Sequence, residues 1–138
     1  MKTDSPVTVM VVEDDDLVLR LLCNVLRRAG HRVVTATDGM TALSTARREL
    51  PDVVVVDILL PAGNGLQLLE RMRSIADLST TAAVVMTGGD PETYGPQAEA
   101  LGAIFLPKPL SPAELLSAVE SALKGSTSVE SILGLASV

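Results

Sequence analysis

Four consecutive acidic residues follow a short apolar run near the start of the chain: Glu13, Asp14, Asp15 and Asp16. Adjacent carboxylates repel one another and raise one another's pKa, so carboxylates that cluster in a cleft are normally held together by a cation. Oxygen ligands favour Mg2+, which keeps several waters and binds one or two carboxylates together with a phosphate. We assign Glu13 and Asp14 to such a metal site. Asp15 and Asp16 are predicted to open the first helix and to favour its dipole.

A second acidic position follows the most apolar stretch of the chain. Asp57 comes directly after four valines, residues 53–56, so its carboxylate should emerge from a dry sheet. A helix-capping role suits it poorly, because Pro61, Gly63 and Gly65 delay the next helix. A carboxylate in this setting can act as a nucleophile and form an aspartyl phosphate. Mg2+ would offset the repulsion between that carboxylate and an incoming phosphoryl group.

Two further side chains could contact a phosphoryl group. Lys108 is the only lysine away from the ends of the chain, and its compact positive charge suits a phosphoryl oxygen. The alternative is an ordinary surface lysine. Pro109 follows it, and we predict that the Lys108–Pro109 bond is cis, because cis bonds are largely confined to proline. Thr87 offers a hydroxyl beside Gly88 and Gly89, which let the backbone approach a ligand; taken alone, it would be an ordinary strand end.

The elements that must position these side chains can be read from the alternation of short β-branched runs and longer amphipathic segments. We predict strands at 7–12, 32–36, 53–56, 82–86 and 103–106, and helices at 16–29, 39–50, 65–74 and 112–124. This alternation predicts an α/β fold, with a parallel sheet covered by helices on both faces. Ligands bind such sheets beyond the carboxyl ends of the strands. The candidate residues all follow predicted strands, so they converge if those strands are neighbours.

Composition limits the possible classes of protein. The chain has 138 residues, 47% of them hydrophobic, which suits one domain with a sizeable core. Its formal net charge of -6 argues against broad nucleic-acid binding. The longest apolar run is interrupted by Asp57 and is too short to span a membrane. The start does not resemble a signal peptide and the single Cys23 excludes an internal disulfide, so we predict a soluble cytoplasmic protein.

We place one domain over residues 1–125, with its core at about 7–124. Residues 126–138 form a tail that is rich in serine and then apolar. Two interpretations of this tail stay open, a short helix and a disordered segment. Neither leaves room for a second domain.

A set of features, taken in order along the chain, resembles a known family. They are Glu13-Asp14, Asp57, Thr87 and Lys108-Pro109, together with DILLP at 57–61, DG at 38–39 and GA at 102–103. The set resembles the receiver domain of bacterial two-component response regulators, in its stand-alone form similar to chemotaxis regulators. The resemblance covers residues 7–124, nearly the whole chain. It implies a flavodoxin-like, doubly wound sandwich with strand order 2-1-3-4-5.

The resemblance implies a phosphoryl acceptor and a metal site. Asp57 would accept a phosphoryl group from a histidine kinase or a histidine phosphotransfer protein. Asp14, Asp57 and the backbone carbonyl of Leu59 would bind Mg2+ directly, and Glu13 would act through water. The chain would catalyse only its own phosphorylation and dephosphorylation, and so would not be an enzyme in the usual sense.

The resemblance also implies a conformational switch. Lys108 would bind the phosphoryl group, Thr87 would swing towards it, and Phe105 would turn inward as the aromatic switch residue. Phe105 could equally be an ordinary core residue, and the two roles are compatible. The result would be a two-state population shift driven by new contacts to phosphoryl oxygens. We expect a monomer, or a weak dimer that depends on phosphorylation, with a downstream protein target.

One segment departs from the family pattern, the sequence GGDPETYGPQAEAL from Gly88 to Leu101. Pro96 follows Gly95 and fits poorly inside a long helix. We therefore predict a mobile loop over residues 88–95 and a short helix that begins near Pro96.

The first predicted helix carries more apolar residues than one face requires. Its buried face is predicted to consist of Val18, Leu21, Leu22 and Val25. Leu19 and Cys23 are then additional apolar residues on a wetter side, where they could dock a helical kinase or phosphotransfer partner. The alternative is scattered surface apolarity, which is common.

Other classes of function remain open on the residues alone. A scaffold could use the same fold without phosphorylation, although Asp57, Thr87 and Lys108 argue against it. A phosphatase with an aspartyl nucleophile would place a general acid two residues after Asp57, where the chain has Leu59. A flavin carrier is disfavoured because residues 13–16 would repel the cofactor phosphate.

Overall fold

In a computed structural model that describes residues 6–125, five parallel strands form one sheet. The strand order is β2-β1-β3-β4-β5, which confirms the predicted fold class. The strands are β1 (Thr8–Val12), β2 (Arg32–Ala36), β3 (Val53–Asp57), β4 (Ala82–Thr87) and β5 (Ile104–Pro107). The predicted tail, residues 126–138, lies outside the described residues.

Five helices cover the two faces of the sheet. They are α1 (Asp16–Arg28), α2 (Gly39–Glu49), α3 (Gly65–Arg73), α4 (Pro91–Ala100) and α5 (Pro112–Gly125), and a 3-10 turn follows α3 at Ala76–Leu78. Buried side chains of α2, α3 and α4 form one core layer, and those of α1 and α5 form the other. Within residues 6–125, no helix is long and apolar enough to cross a membrane.

The valine run of β3 is explained by its central position in the sheet. Val54 and Val56 pack into the layer of α2, α3 and α4, while Val53 and Val55 pack into the layer of α1 and α5. All four side chains are fully buried. A strand covered on both faces needs apolar residues at every position, which is why the run does not alternate.

The structure contradicts the loop predicted over residues 88–95. Helix α4 runs without a break over Pro91–Ala100, so the connection after β4 comprises only residues 88–90. The prediction that a short helix begins near Pro96 was therefore wrong. Mobility of this segment stays a prediction.

The start of α4 is well capped, which explains why the helix tolerates an internal proline. Pro91 occupies the first turn, where a missing N–H costs nothing. Asp90 accepts hydrogen bonds from the Glu92 N–H at 3.0 Å and the Thr93 hydroxyl at 2.9 Å. Pro96 lies inside the helix and removes one backbone donor, so a single hydrogen bond is lost while the cap holds the first turn.

Helix α2 ends at a residue in a strained conformation, which allows a test of the backbone geometry. Leu50 has φ 48°, in the left-handed region, and is 52% exposed. A side chain in this region costs roughly 1–2 kcal/mol, whereas glycine adopts it freely. We expect Leu50→Gly to raise the free energy of unfolding by about 0.5–1 kcal/mol in urea titrations. The Leu50→Ala variant keeps the strained backbone and loses most of the side chain, so its free energy of unfolding should not rise.

Candidate functional site

The register of the sheet brings the acidic positions to one edge. Val12 of β1 pairs with Val56 of β3, so Glu13 and Asp57, the next residues of each chain segment, emerge side by side. Asp57 in turn pairs with Met86 of β4, one residue before the end of that strand. The residues that follow three neighbouring strands therefore meet at the carboxyl edge, where parallel sheets bind ligands.

The charged groups at this edge are in direct contact. The Lys108 Nζ donates hydrogen bonds to Oε1 of Glu13 at 2.6 Å and to Oδ2 of Asp57 at 2.8 Å. Glu13 is 1% exposed and Asp57 5% exposed, whereas Asp14 is on the surface. The lysine therefore joins two carboxylates that are almost completely buried.

Burial and pairing act in opposite directions on the pKa values of these groups. Burial raises the pKa of Glu13, and the hydrogen bond from Lys108 and the backbone N–H of Asp15 only partly offset this. Burial acts to lower the pKa of Lys108, but its hydrogen bonds to Asp57 and Glu13 outweigh burial and the net shift is upward. Lys108 is therefore a firmly charged cation at neutral pH.

The arrangement can hold a divalent cation. One carboxylate oxygen from each of Glu13, Asp14 and Asp57 lies within 4.8 Å of the others. Three carboxylates face the single ammonium of Lys108, which leaves an excess of two negative charges. An all-oxygen set with that excess fits a hard divalent ion better than a soft one. Leu59 donates its N–H to Oδ1 of Asp57 at 3.1 Å, and metal binding by its carbonyl stays a prediction.

The remaining acids of the opening run act as local structure. Asp15 is the N-cap of α1, and its side chain accepts the Val18 N–H at 3.1 Å. Asp16 begins the helix and forms an exposed ion pair with Arg20 at 3.0 Å. These contacts confirm that Asp15 and Asp16 open the first helix, whereas metal binding by Glu13 and Asp14 stays a prediction. The backbone N–H of Asp15 also donates to Oε2 of Glu13 at 3.2 Å, so the cap supports the site.

Thr87 and Phe105 lie on the two strands nearest the lysine. Thr87 is fully buried, its Oγ1 accepts the Gly89 N–H at 3.0 Å, and its carbonyl accepts the Lys108 N–H at 2.9 Å. Phe105 is half-buried and packs against the layer formed by α2, α3 and α4. The Lys108–Pro109 bond is cis, as predicted. The switching roles of Thr87 and Phe105 stay predictions.

The predicted docking pair on α1 was placed on the wrong face. Cys23 is 3% exposed and lies in the core between the sheet and α5, and Leu19 is half-buried against the same residues. Leu21, which was assigned to the buried face, is 56% exposed. The reason is that α1 packs against both the sheet and α5. Its buried stripe consists of Leu19, Leu22, Cys23 and Leu26, which follow an i, i+3, i+4, i+7 pattern. Including Leu26 in the predicted buried face would have revealed this pattern.

Two features of the site escaped sequence reasoning. The first is the direct contact between Glu13 and Lys108, two residues separated by 95 positions. The second is Gly65 at the start of α3, where a β-carbon would lie 2.3 Å from the Asp57 carbonyl oxygen. Only glycine allows α3 to start this close to Asp57. The sequence predicted a helix from residue 65 but no reason for a glycine at its start.

Comparison with known proteins identifies the family to which this fold and this site belong. The family model described as the response regulator receiver domain matches residues 9–120. The chain therefore belongs to the response regulator receiver domain family, a family of signalling domains from two-component systems.

Individual relatives agree with this assignment. The chain is 31% identical to Protein PilH of Pseudomonas aeruginosa, over 85% of this chain and 98% of that protein. It superposes with a TM-score of 0.79 on the chemotaxis response regulator CheY4 of Vibrio cholerae, at 28% identity, covering 86% of this chain and 99% of that one. A LuxR-family two-component response regulator from an Aurantimonas species superposes with a TM-score of 0.78 at 30% identity, covering 88% of this chain and 87% of that one.

The relatives differ in length. The chain spans nearly all of Protein PilH but only 30%, 49% and 52% of three longer curated regulators that it matches. The shared part is therefore the receiver domain, and the activities of the longer proteins are not transferred to this chain.

The lysine bridge can be tested by its effect on stability. We expect Lys108→Met in the presence of EDTA to lower the free energy of unfolding by about 2–3 kcal/mol at neutral pH, because two buried carboxylates lose their counter-ion. Burial already raises the pKa of Glu13 above 4.5 in the folded state. Well below pH 4.5 the Glu13 carboxyl is protonated in both the folded and the unfolded chain. The loss of stability caused by Lys108→Met should therefore be small at such a pH and grow as the pH rises.

Urea titrations at pH 3 and pH 7.5 would measure this difference. Lys108→Arg keeps the positive charge and serves as the matched control, with a smaller loss at neutral pH. An equal loss for Lys108→Met at both pH values would contradict the electrostatic explanation.

Proposed function

We propose that this chain is a single-domain response regulator that accepts a phosphoryl group on Asp57 from a phosphohistidine donor, in a reaction that depends on Mg2+. One observation carries the proposal. The Asp57 carboxylate ends the central strand of the sheet, within hydrogen-bond distance of Lys108 and within 4.8 Å of ligand oxygens of Glu13 and Asp14. A nucleophile, a cation and a metal-binding set therefore occupy one small volume.

The transfer is a displacement at phosphorus. A lone pair of an Asp57 carboxylate oxygen forms the new P–O bond while the P–N bond of the donor phosphohistidine breaks, and the electron pair leaves with the imidazole nitrogen. Mg2+ held by Glu13, Asp14 and Asp57 would supply positive charge that offsets the repulsion between the carboxylate and the phosphoryl oxygens. The neighbouring Lys108 ammonium contributes a second positive charge on the same side of the acceptor.

The consequence of phosphorylation follows from the lysine contacts. Once one Asp57 oxygen carries a phosphoryl group, Lys108 exchanges a carboxylate partner for a phosphoryl oxygen. Thr87 turns its hydroxyl towards the same group, and Phe105 repacks inward. These new contacts favour one of two conformations and so shift the population. The chain catalyses only its own phosphorylation and dephosphorylation.

The exposed leucines of α1 suit a protein phosphodonor. Leu17 and Leu21 are 67% and 56% exposed and stand four residues apart, so they share one face of the helix. They lie in the first half of α1, which starts three residues after Glu13. We assign the docking of a histidine kinase or histidine phosphotransfer protein to this face, in place of Leu19 and Cys23. A helical partner would lay its apolar stripe on it. Cytoplasmic location and monomeric or weakly dimeric state stay predictions.

Labelling distinguishes the phosphoacceptor from the other acids. We expect acetyl phosphate with Mg2+ to label the wild-type chain at one site, and Asp57→Asn to remove the label, because an amide cannot act as this nucleophile. Asp15→Asn is the matched control, since asparagine caps α1 equally well and the label should persist. Intact labelling of Asp57→Asn would refute the mechanism and favour an unphosphorylated scaffold.

The docking face can be separated from the chemistry. We expect Leu21→Glu to slow transfer from a phosphorylated histidine phosphotransfer protein by about tenfold, which corresponds to roughly 1.4 kcal/mol of lost contact. Labelling by acetyl phosphate should be unchanged, because that donor does not touch α1. Leu50→Glu, at the opposite end of the molecule, controls for added negative charge. Equal slowing with both donors would place the effect in the site itself.

A further inference from the structure

Helix α4 is held to the rest of the molecule more weakly than the other helices are. Ala98 is its one fully buried residue, and Tyr94 is the only large side chain of α4 that packs against the core. Helix α3, by comparison, buries Leu66, Leu68, Leu69 and Met72. The position of α4 therefore depends on very few contacts.

The two ends of α4 are attached differently. At the C-terminal end, the guanidinium of Arg73 donates to the Leu101 carbonyl at 3.0 Å and to the Thr81 carbonyl at 2.7 Å, which ties this end to α3 and to the start of β4. At the N-terminal end, the cap formed by Asp90 is local to the helix. Among the described residues, Tyr94 is the large side chain that joins this first half of α4 to the core. The N-terminal half of α4 is thus joined to the core by fewer contacts than the C-terminal half is.

The ring of Tyr94 packs against the turn that carries the switch threonine. A β-carbon placed on Gly89 would lie 2.9 Å from Cε2 of Tyr94 and 3.3 Å from Oγ1 of Thr87. The ring therefore occupies the space that a side chain at position 89 would need. By contrast, a β-carbon on Gly88 would meet no atom within 4 Å.

The same turn determines the orientation of the Thr87 hydroxyl. Its Oγ1 accepts the Gly89 N–H at 3.0 Å, and within residues 6–125 this hydroxyl has no hydrogen bond to Asp57, Glu13 or Lys108. Any movement of the hydroxyl towards a group on Asp57 must lengthen the bond to Gly89 or carry Gly89 with it. Either change disturbs the surface on which the Tyr94 ring rests.

We propose that Tyr94 is a positioning residue that couples the phosphorylation site to α4. Its ring, seated on Gly89, holds the turn after β4 in the arrangement in which Gly89 binds the Thr87 hydroxyl, and so stabilises the unphosphorylated conformation. When Thr87 turns towards the phosphoryl group, the ring leaves Gly89 and releases the first half of α4. This inference rests on the function proposed above and adds a residue to the switch.

The chain itself supplies the reporter. It contains one tyrosine and no tryptophan, so tyrosine emission arises from residue 94 alone. We expect beryllofluoride with Mg2+, which mimics the phosphoryl group, to change this emission with the same half-saturation as the binding measured by fluorine-19 NMR. Asp57→Asn should show neither the binding nor the emission change. Binding without a change in emission in the wild-type chain would overturn the role of Tyr94.

Variants give the direction of the coupling. Tyr94→Ala should tighten the apparent beryllofluoride affinity about fivefold, at the lower end of typical coupling between sites, because the unphosphorylated conformation loses its support. Tyr94→Phe keeps the ring and should match the wild-type affinity within about twofold. Gly89→Ala should tighten the affinity as Tyr94→Ala does, since the new methyl group displaces the ring.

A double variant tests whether Gly89 acts through the ring. If it does, adding Gly89→Ala to Tyr94→Ala changes the affinity no further. An affinity of Tyr94→Ala equal to that of the wild type, or additive effects of the two substitutions, would overturn the inference. Should Tyr94→Ala not fold, the comparison of Gly89→Ala with the wild-type chain decides alone: an unchanged affinity would overturn the inference. Absence of beryllofluoride binding in the wild-type chain would instead contradict the proposed phosphorylation itself.

Discussion

The contact of one ammonium with two buried carboxylates is the interaction on which the site depends. Lys108 joins Glu13 and Asp57, which are almost completely removed from water. Without a cation between them, these two buried carboxylates would repel each other. With only one cation, the cluster that includes Asp14 still carries excess negative charge. The site is therefore paired internally while it keeps excess negative charge, which is the property that the proposed phosphoryl acceptor requires for binding Mg2+.

The scaffold around this contact is rigid on one side and lightly attached on the other. Strands β1 and β3 are covered on both faces, and α3 starts against the backbone of Asp57 at Gly65. This fixes the backbone positions of Asp57 and Glu13. Helix α4 buries little, carries Pro96 and ends in a firm attachment at Arg73. An element with few contacts can change position at low free-energy cost, whereas a densely packed core cannot.

Sequence reasoning succeeded where one physical signal dominated and failed where two competed. The run of valines before Asp57 has one explanation, a strand buried on both faces, and the structure agrees. Helix α1 has more apolar residues than one face can hold. Assigning its buried face therefore required knowing that α1 packs against α5 as well as against the sheet. In α4, Pro96 argued against a helix that includes the residues before it. The cap by Asp90 and the packing of Tyr94 nevertheless stabilise a helix from Pro91 onwards. Local preference is a weak predictor when tertiary contacts oppose it.

By itself, the sequence determined the order of the elements, the acids that follow the strands, the helix-opening role of Asp15 and Asp16, and the cis bond before Pro109. These depend on neighbours in the chain. Only the tertiary structure decided which side chains touch: that Lys108 binds Glu13 as well as Asp57, that Cys23 lies inside while Leu21 lies outside, and that Tyr94 rests on Gly89. Such contacts join residues that are distant in the chain or depend on how a helix is rotated, and packing alone sets both.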